Sequence, residues 1–160
     1  LWDIPFMAKT NEFELYIEIP ASTTASNTAL DLTDYVDIAD NEAFRVDEVD
    51  IVLDMTEAFP GSDTDARFQL ADSNIQAFVS HADRTSLYVA RQTFDTATLA
   101  MYHQESFSTL TPLIVSKTLF MRNQVNTGNL DFTLRLRGKI VKPSAKDYMA
   151  LVLTQTGNVA

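Results

Sequence analysis

Two histidines are the side chains of this sequence best suited to exchanging a proton near neutral pH. They are His81, in Ser80-His81-Ala82-Asp83, and His103, in Tyr102-His103-Gln104-Glu105. Neither lies in a catalytic or metal-binding motif. His103 and Glu105 are two apart on a segment that reads as a strand, so they share a face and could offer a metal two ligands, but a site requires three or four. The expectation is a surface or hydrogen-bonded histidine. The chain has no Cys, which excludes thiolate nucleophiles, disulfides and Cys-built zinc sites. No Gly-x-Ser-x-Gly occurs, and the serines fall mostly in turn-like contexts. Carboxylates are so abundant that almost any fold would bring some together, which weakens any pair as evidence for glycosidase chemistry. Asp31, Asp34, Asp37 and Asp40, and the pair Asp63 and Asp65, could gather oxygen ligands for Ca²⁺. Neither set has the central Gly and terminal Glu of an EF-hand, so a solvated acidic face is expected instead. The sequence therefore predicts no catalytic residue, no metal site and no cofactor; the expected role is structural or binding, not enzymatic.

The strongest charge feature is Arg135, Arg137, Lys139, Lys142 and Lys146, which invites a phosphate-binding reading. The rest of the chain argues otherwise. The net charge is −10 over 160 residues, against general nucleic-acid binding, which needs clustered Lys and Arg left free. Residues 1–80 carry 3 basic and 17 acidic side chains, while residues 81–160 carry 9 and 5, so the two halves should attract each other. Arg135, Arg137 and Lys139 project from one face of the last predicted strand, and Glu12, Glu14 and Glu18 from one face of the first. Cross-strand ion pairing between these two sets, which would place the first and last strands side by side, is favoured over a free anion site.

Those residues must be positioned by strands. Over Glu12–Ile19, Phe13, Leu15, Ile17 and Ile19 alternate with Glu12, Glu14, Tyr16 and Glu18, the period of a half-buried strand. Ala21–Thr28 reads as a loop, and Leu30–Ile38 as a further strand. Between Phe44 and Met55 the apolar positions switch phase, from Phe44 and Val46 to Val49, Ile51, Leu53 and Met55. Either a β-bulge near Asp47-Glu48 restores the phase or two short strands meet there. Phe59–Asp63 reads as a turn. Strands are predicted at Ala66–Leu70, Ile75–Ser80, Ser86–Gln92 and Thr98–Gln104, at the spacing of a sandwich or barrel. Thr111–Arg122 is apolar on both faces and reads as a covered central strand, forming a hairpin with Leu130–Val141. Ser144-Ala145-Lys146-Asp147 resembles a capping box and opens a short helix over 144–154, expected to lie against a sheet edge or a partner. The length fits one domain: an N-terminal arm over 1–11, a sandwich over 12–142 and the helix. No apolar run is long enough to suggest a membrane-spanning helix, and the start lacks a signal-peptide pattern, so a soluble chain is expected. Leu1 in place of Met fits a processed product and a partial record equally.

First strand beside last, eight or nine short strands and a terminal hairpin predict an all-β, two-sheet antiparallel sandwich of jelly-roll type. With the closing segment Leu134-Arg135-Leu136-Arg137-Gly138-Lys139-Ile140-Val141-Lys142-Pro143-Ser144-Ala145-Lys146-Asp147-Tyr148, the chain resembles single jelly-roll capsid proteins of tailless icosahedral viruses of archaea or bacteria, over about residues 12–155. That resemblance implies a virion shell subunit without catalytic residues. Its partners would be copies of itself and paralogous capsid proteins, with an internal viral membrane beneath the shell in many relatives. Sequence-specific nucleic-acid binding is not expected. The competing reading is a carbohydrate-binding or adhesion sandwich, extracellular or on the cell surface. It would need an exposed aromatic platform drawn from Trp2, Tyr16, Tyr35, Tyr88 and Tyr102. A lipocalin-like or cupin-like enzyme is disfavoured by the shortage of histidines.

Overall fold

Alternation of apolar and polar residues decides where this chain becomes extended, because each strand must present one face to a core and the other to water. A computed structural model describes residues 7–8, 10–19, 23–33, 41–54, 57–108, 113–114, 118–126, 130–147 and 149–150. Among these, ten strands run in the order β1 (Met7–Ala8), β2 (Phe13–Ile19), β3 (Ser26–Asp31), β4 (Ala43–Leu53), β5 (Thr64–Ala71), β6 (Ser86–Asp95), β7 (Ala100–Phe107), β8 (Leu113–Ile114), β9 (Thr118–Val125) and β10 (Phe132–Lys142). Eight have six residues or more; β1 and β8 have two.

The strands form two antiparallel sheets. One runs β1-β10-β4-β8, with β2 also on β10, and the other runs β3-β9-β5-β6-β7. Pairing is nested along the chain: β2 with β10, β3 with β9, β4 with β8, β5 with β6. This is a long two-stranded ribbon rolled into two layers, which is the jelly roll. The core lies between the layers, where Phe68 of β5 meets Phe132 of β10 edge-on at 5.0 Å and Phe13 packs on Phe44 at 5.5 Å. Burying a side chain such as Phe44, Phe68, Leu134 or Leu136 contributes roughly 1.5–3 kcal/mol.

β10 is the strand most fully committed to the sheet. It pairs with β2 from Phe132 to Gly138 and with β4 from Phe132 to Val141. The phase switch in β4 is a bulge inside one continuous strand. Arg137 stands opposite Glu48 and Gly138 opposite Val46, so Asp47 is the extra residue. The bulge returns Phe44 and Val46 to the same buried face as Val49 and Ile51. At this point the two backbones close in on each other. A Cβ at Gly138 would collide with the Arg45 carbonyl oxygen and come within 3.0 Å of the Phe44 ring.

Several sequence expectations change. β3 begins at Ser26, inside the stretch read as loop; Val36 and Ile38 of the expected Leu30–Ile38 strand lie outside the described residues. Residues 75–80 form no strand, although Ile75 is buried. Their backbone is held by side chains instead: Asn27 Nδ2 donates to Ile75 C=O at 2.8 Å, and Gln69 both donates to Val79 C=O at 3.0 Å and accepts from Val79 N–H at 2.9 Å. The expected single strand over Thr111–Arg122 is divided, with β8 in one sheet and β9 in the other. β9 and β10 therefore form no hairpin. Both flanks of β9 are taken by β3 and β5, and those of β10 by β2 and β4, so the chain crosses layers between them. Within the expected N-terminal arm, Met7 and Ala8 pair with Lys142 and Val141. The chain is helical at 145–147 and 149–150, and Asp147 N–H donates to Ser144 Oγ at 3.2 Å, the bond of an N-cap; the expected helical positions 151–154 lie outside the described residues. Among the described residues no helix is long and apolar enough to cross a membrane.

Replacing Gly138 by Ala tests the close approach. The added methyl has backbone on one side and a buried ring on the other, so the expected loss is about 3 kcal/mol or more, read as a lowered midpoint in urea unfolding. Gly61→Ala, where nothing lies within 4 Å of the new methyl, should leave the midpoint nearly unchanged.

Candidate functional site

The most organised polar feature is a ladder of charges on the outer face of the β2-β10-β4 layer. Thr133, Arg135, Arg137 and Lys139 of β10 point outward because the alternating Phe132, Leu134 and Leu136 point into the core. Register then sets Arg135 between Tyr16 and Asp50, and Arg137 between Glu14 and Glu48. Arg135 bonds Asp50, Glu48 at 3.0 Å and Glu14 at 3.4 Å. Arg137 reaches Glu48 at 2.9 Å, Glu12 at 3.7 Å and Glu14 at 3.9 Å. The Tyr16 hydroxyl donates to Glu14 at 2.8 Å, and this bond more than the arginines holds the Glu14 carboxyl below its usual range; in return the Tyr16 phenol is raised. Arg135 is held more firmly protonated, chiefly by its bond to Asp50.

Four of the six residues proposed from the sequence thus meet: Glu12, Glu14, Arg135 and Arg137. Glu18 stands opposite Thr133 and Lys139 opposite Arg45, and neither enters an ion pair among the described residues. The sequence reading missed Glu48 and Asp50. Their signal was present as two acids flanking Val49 just past the phase switch, but without the register nothing indicated that β4 lies on the second flank of β10. Four carboxylates around two guanidiniums leave this face acidic, and both arginines are engaged.

The other candidates among the described residues have local hydrogen-bond or ion-pair partners. Asp31 accepts from Thr33 N–H at 2.9 Å and Thr33 Oγ1 at 2.7 Å, and Asp63 from Thr96 N–H at 3.0 Å and Thr96 Oγ1 at 2.8 Å; these bonds lower both carboxyls. Asp65 forms a forked pair with Arg91 at 2.8 and 2.6 Å. Asp34, Asp37 and Asp40 lie outside the described residues. Among the described residues, no three His, Cys, Asp or Glu side chains group to hold a metal. His103 and Glu105 do share a face, with Nε2 and Oε2 3.3 Å apart. Their neighbours complete a hydrogen-bonded chain: Tyr88 OH donates to Glu105, His103 Nδ1 lies 3.2 Å from Gln92 Nε2, and Gln92 donates to the Ile51 carbonyl of the opposite sheet at 2.9 Å. Burial and the Glu105 bond push the Tyr88 phenol far up, so it remains a donor. His81 Nδ1 lies 3.0 Å from Ser86 Oγ.

On the outer face of the second sheet, the segment after β5 folds back so that the Phe78 ring lies under Arg67 at 4.7 Å and Arg122 at 5.5 Å. Beside it is a groove of about 320 Å³ lined by Arg67, Phe78, Val89, Arg91 and Gln104, among others. The exposed tyrosines of the described residues, Tyr16 and Tyr102, are on different sheets, and Tyr88 is buried, so these three make no platform. Trp2 and Tyr35 lie outside the described residues. No protein-family model and no curated protein matches the chain. The fold defines it as an all-β jelly-roll sandwich.

Two measurements check these assignments. Arg135→Met should lower the melting temperature, and the loss should shrink as salt is added, whereas Lys139→Met should change little at any ionic strength. Asp72 behaves in the opposite sense to the paired acids: both of its oxygens are buried with no partner from another described residue, and burial, opposed by its own backbone amide and aided by the Asp83 charge, pushes its carboxyl from 3.8 up to about 6. The folded state therefore binds this proton more tightly than the unfolded chain, and stability from this group falls as pH rises from about 4 through 6. Asp72→Asn should stabilise the protein at pH 7 by about 1–2 kcal/mol after allowance for partial solvent screening, with little gain at pH 4, as read from denaturant unfolding at the two pH values.

Proposed function

We propose that this chain is a structural shell subunit, a single jelly-roll capsid protein of a virion that acts by self-assembly and not by catalysis. The observation that carries the reading is the nested pairing of β2 with β10, β3 with β9 and β4 with β8, the jelly-roll arrangement that capsid subunits share with lectins and cupins. Chemistry separates these options. A cupin-type centre gathers several metal ligands, and the described residues group none. A lectin-type surface presents an aromatic platform, and Tyr16 and Tyr102 stand on separate sheets. What the described surface offers is an acidic face on one sheet and exposed apolar residues at the edge of the other, which suits contacts between molecules.

Purified protein should form discrete capsomers or closed shells, visible by negative-stain microscopy and by light scattering after size exclusion. A monomer that persists at high concentration across a range of salt would overturn the proposal.

A further inference from the structure

Among the described residues β7 is the outer strand of the β3-β9-β5-β6-β7 sheet, and its six central residues, Met101 to Ser106, are exposed on both faces. The facing sheet ends at the two-residue β8 among the described residues, so Met101, His103 and Glu105, on the core side of β7, overhang the sandwich. Edge strands are normally kept from pairing by Lys, Pro, a bulge or an inward-pointing charge, and the inward charge of β7, Glu105, is already engaged by Tyr88 and His103 of its own chain. β7 has no Lys or Pro and keeps an unbroken register with β6, and Leu99, Met101 and Tyr102 beside its edge are 73%, 49% and 57% exposed.

The direction of its free backbone groups follows from one bond. Ser108 N–H donates to Leu87 C=O at 2.9 Å, one step beyond the Tyr88–Phe107 pair. Antiparallel ladders alternate bonded and unbonded pairs, so Val89–Ser106, Arg91–Gln104 and Thr93–Tyr102 are bonded pairs too. The amides and carbonyls of Met101, His103, Glu105 and Phe107 consequently point away from β6, at an edge that no described strand covers, and of these the Phe107 carbonyl also accepts from Ser106 Oγ at 3.4 Å.

We infer that β7 pairs antiparallel with the β7 of a second copy about a two-fold axis at Gln104, joining two five-stranded sheets into one continuous sheet. The sequence of the strand selects this register. It sets His103 against Glu105 of the other copy and Met101 against Phe107, both as bonded pairs, and each also occurs in reverse. An imidazole–carboxylate pair and an apolar contact thus match twice. An axis at Glu105 would place two carboxylates directly opposite each other, and an axis at His103 would set Met101 against Glu105. A single strand pair buries less area than a standard interface, so the contact is weak alone and gains from repetition in an assembly. It stands on the edge geometry and holds whether or not the chain builds a shell.

The absence of cysteine makes the test direct. Gln104 is exposed, and on the axis it forms an unbonded pair with its own copy, whose short Cα separation lies within disulfide range. Gln104→Cys in the full chain, with its far-UV circular dichroism matched to the parent, should oxidise to a covalent dimer roughly tenfold faster than Tyr102→Cys alone. A mixture of Tyr102→Cys and Ser106→Cys should cross-link as a heterodimer. Equal rates for Gln104→Cys and Tyr102→Cys would overturn the contact, and if large assemblies still form, the shell reading survives that failure. A register-specific dimer that never grows larger supports the contact and counts against the shell.

Discussion

The structure depends on β10 being paired along both flanks at once. A strand in that position has no free backbone edge, so its neighbours must supply both the ladder and complementary side chains over the same seven rows, Phe132 to Gly138. On the core side this is met by Phe132, Leu134 and Leu136 packing into the sandwich. On the water side it is met by acids from β2 and β4 closing on Arg135 and Arg137. One irregularity is built in. The extra residue Asp47 shifts the phase of β4, and Gly138 is the residue without a side chain where the two backbones draw together.

The nested topology gives the charge asymmetry a physical meaning. Rolling a ribbon pairs strands from the first half with strands from the second, so an acidic first half and a basic second half put opposite charges on adjacent strands at many steps. The pairs formed by Arg91, Arg135 and Arg137 all reach acids before residue 81. Each exposed pair is weak, but together they discriminate between registers, since a slip of one residue would turn the acids of β2 into the core. Such long-range pairing raises contact order, which makes the fold slow to find and leaves strand edges open in the meantime.

Polar side chains do a second job inside the sandwich. Where a ladder stops, Gln69, Gln92 and Asn27 take the place of backbone partners, the first holding the segment after β5 and the second bridging the sheets at Ile51. Buried carbonyls and amides must find partners somewhere, and long amides can reach them where strands do not. These residues therefore resemble a polar site in composition while serving the scaffold. A jelly roll also hosts several unrelated functions, so the weight of the shell reading falls on the surface, where edge and charge are presented, and not on the interior.

The strands themselves were legible because alternation is a local property. Leu15, Ile17 and Ile19 announce β2, the phase slip at Val46 to Val49 announces either a bulge or a break between two strands, and the Glu12–Glu14 and Arg135–Arg137 spacings place like charges on one face each. Ser144 with Asp147 marks the cap of the helical turn in the same local way. The sequence by itself determined that segments such as β2, β4 and β10 are extended, which face of each is apolar, and that acids on β2 and bases on β10 occupy complementary positions; it did not separate strand from loop at Ser26–Thr28 or at 75–80. Only the tertiary structure decided which layer each strand joins. It separated β8 from β9, denied β9 and β10 a hairpin, left 75–80 to side-chain partners and brought Glu48 and Asp50 to the second flank of β10. The reason is that a period of two reports burial on one side and is silent about whether the neighbour lies beside the strand or across the core.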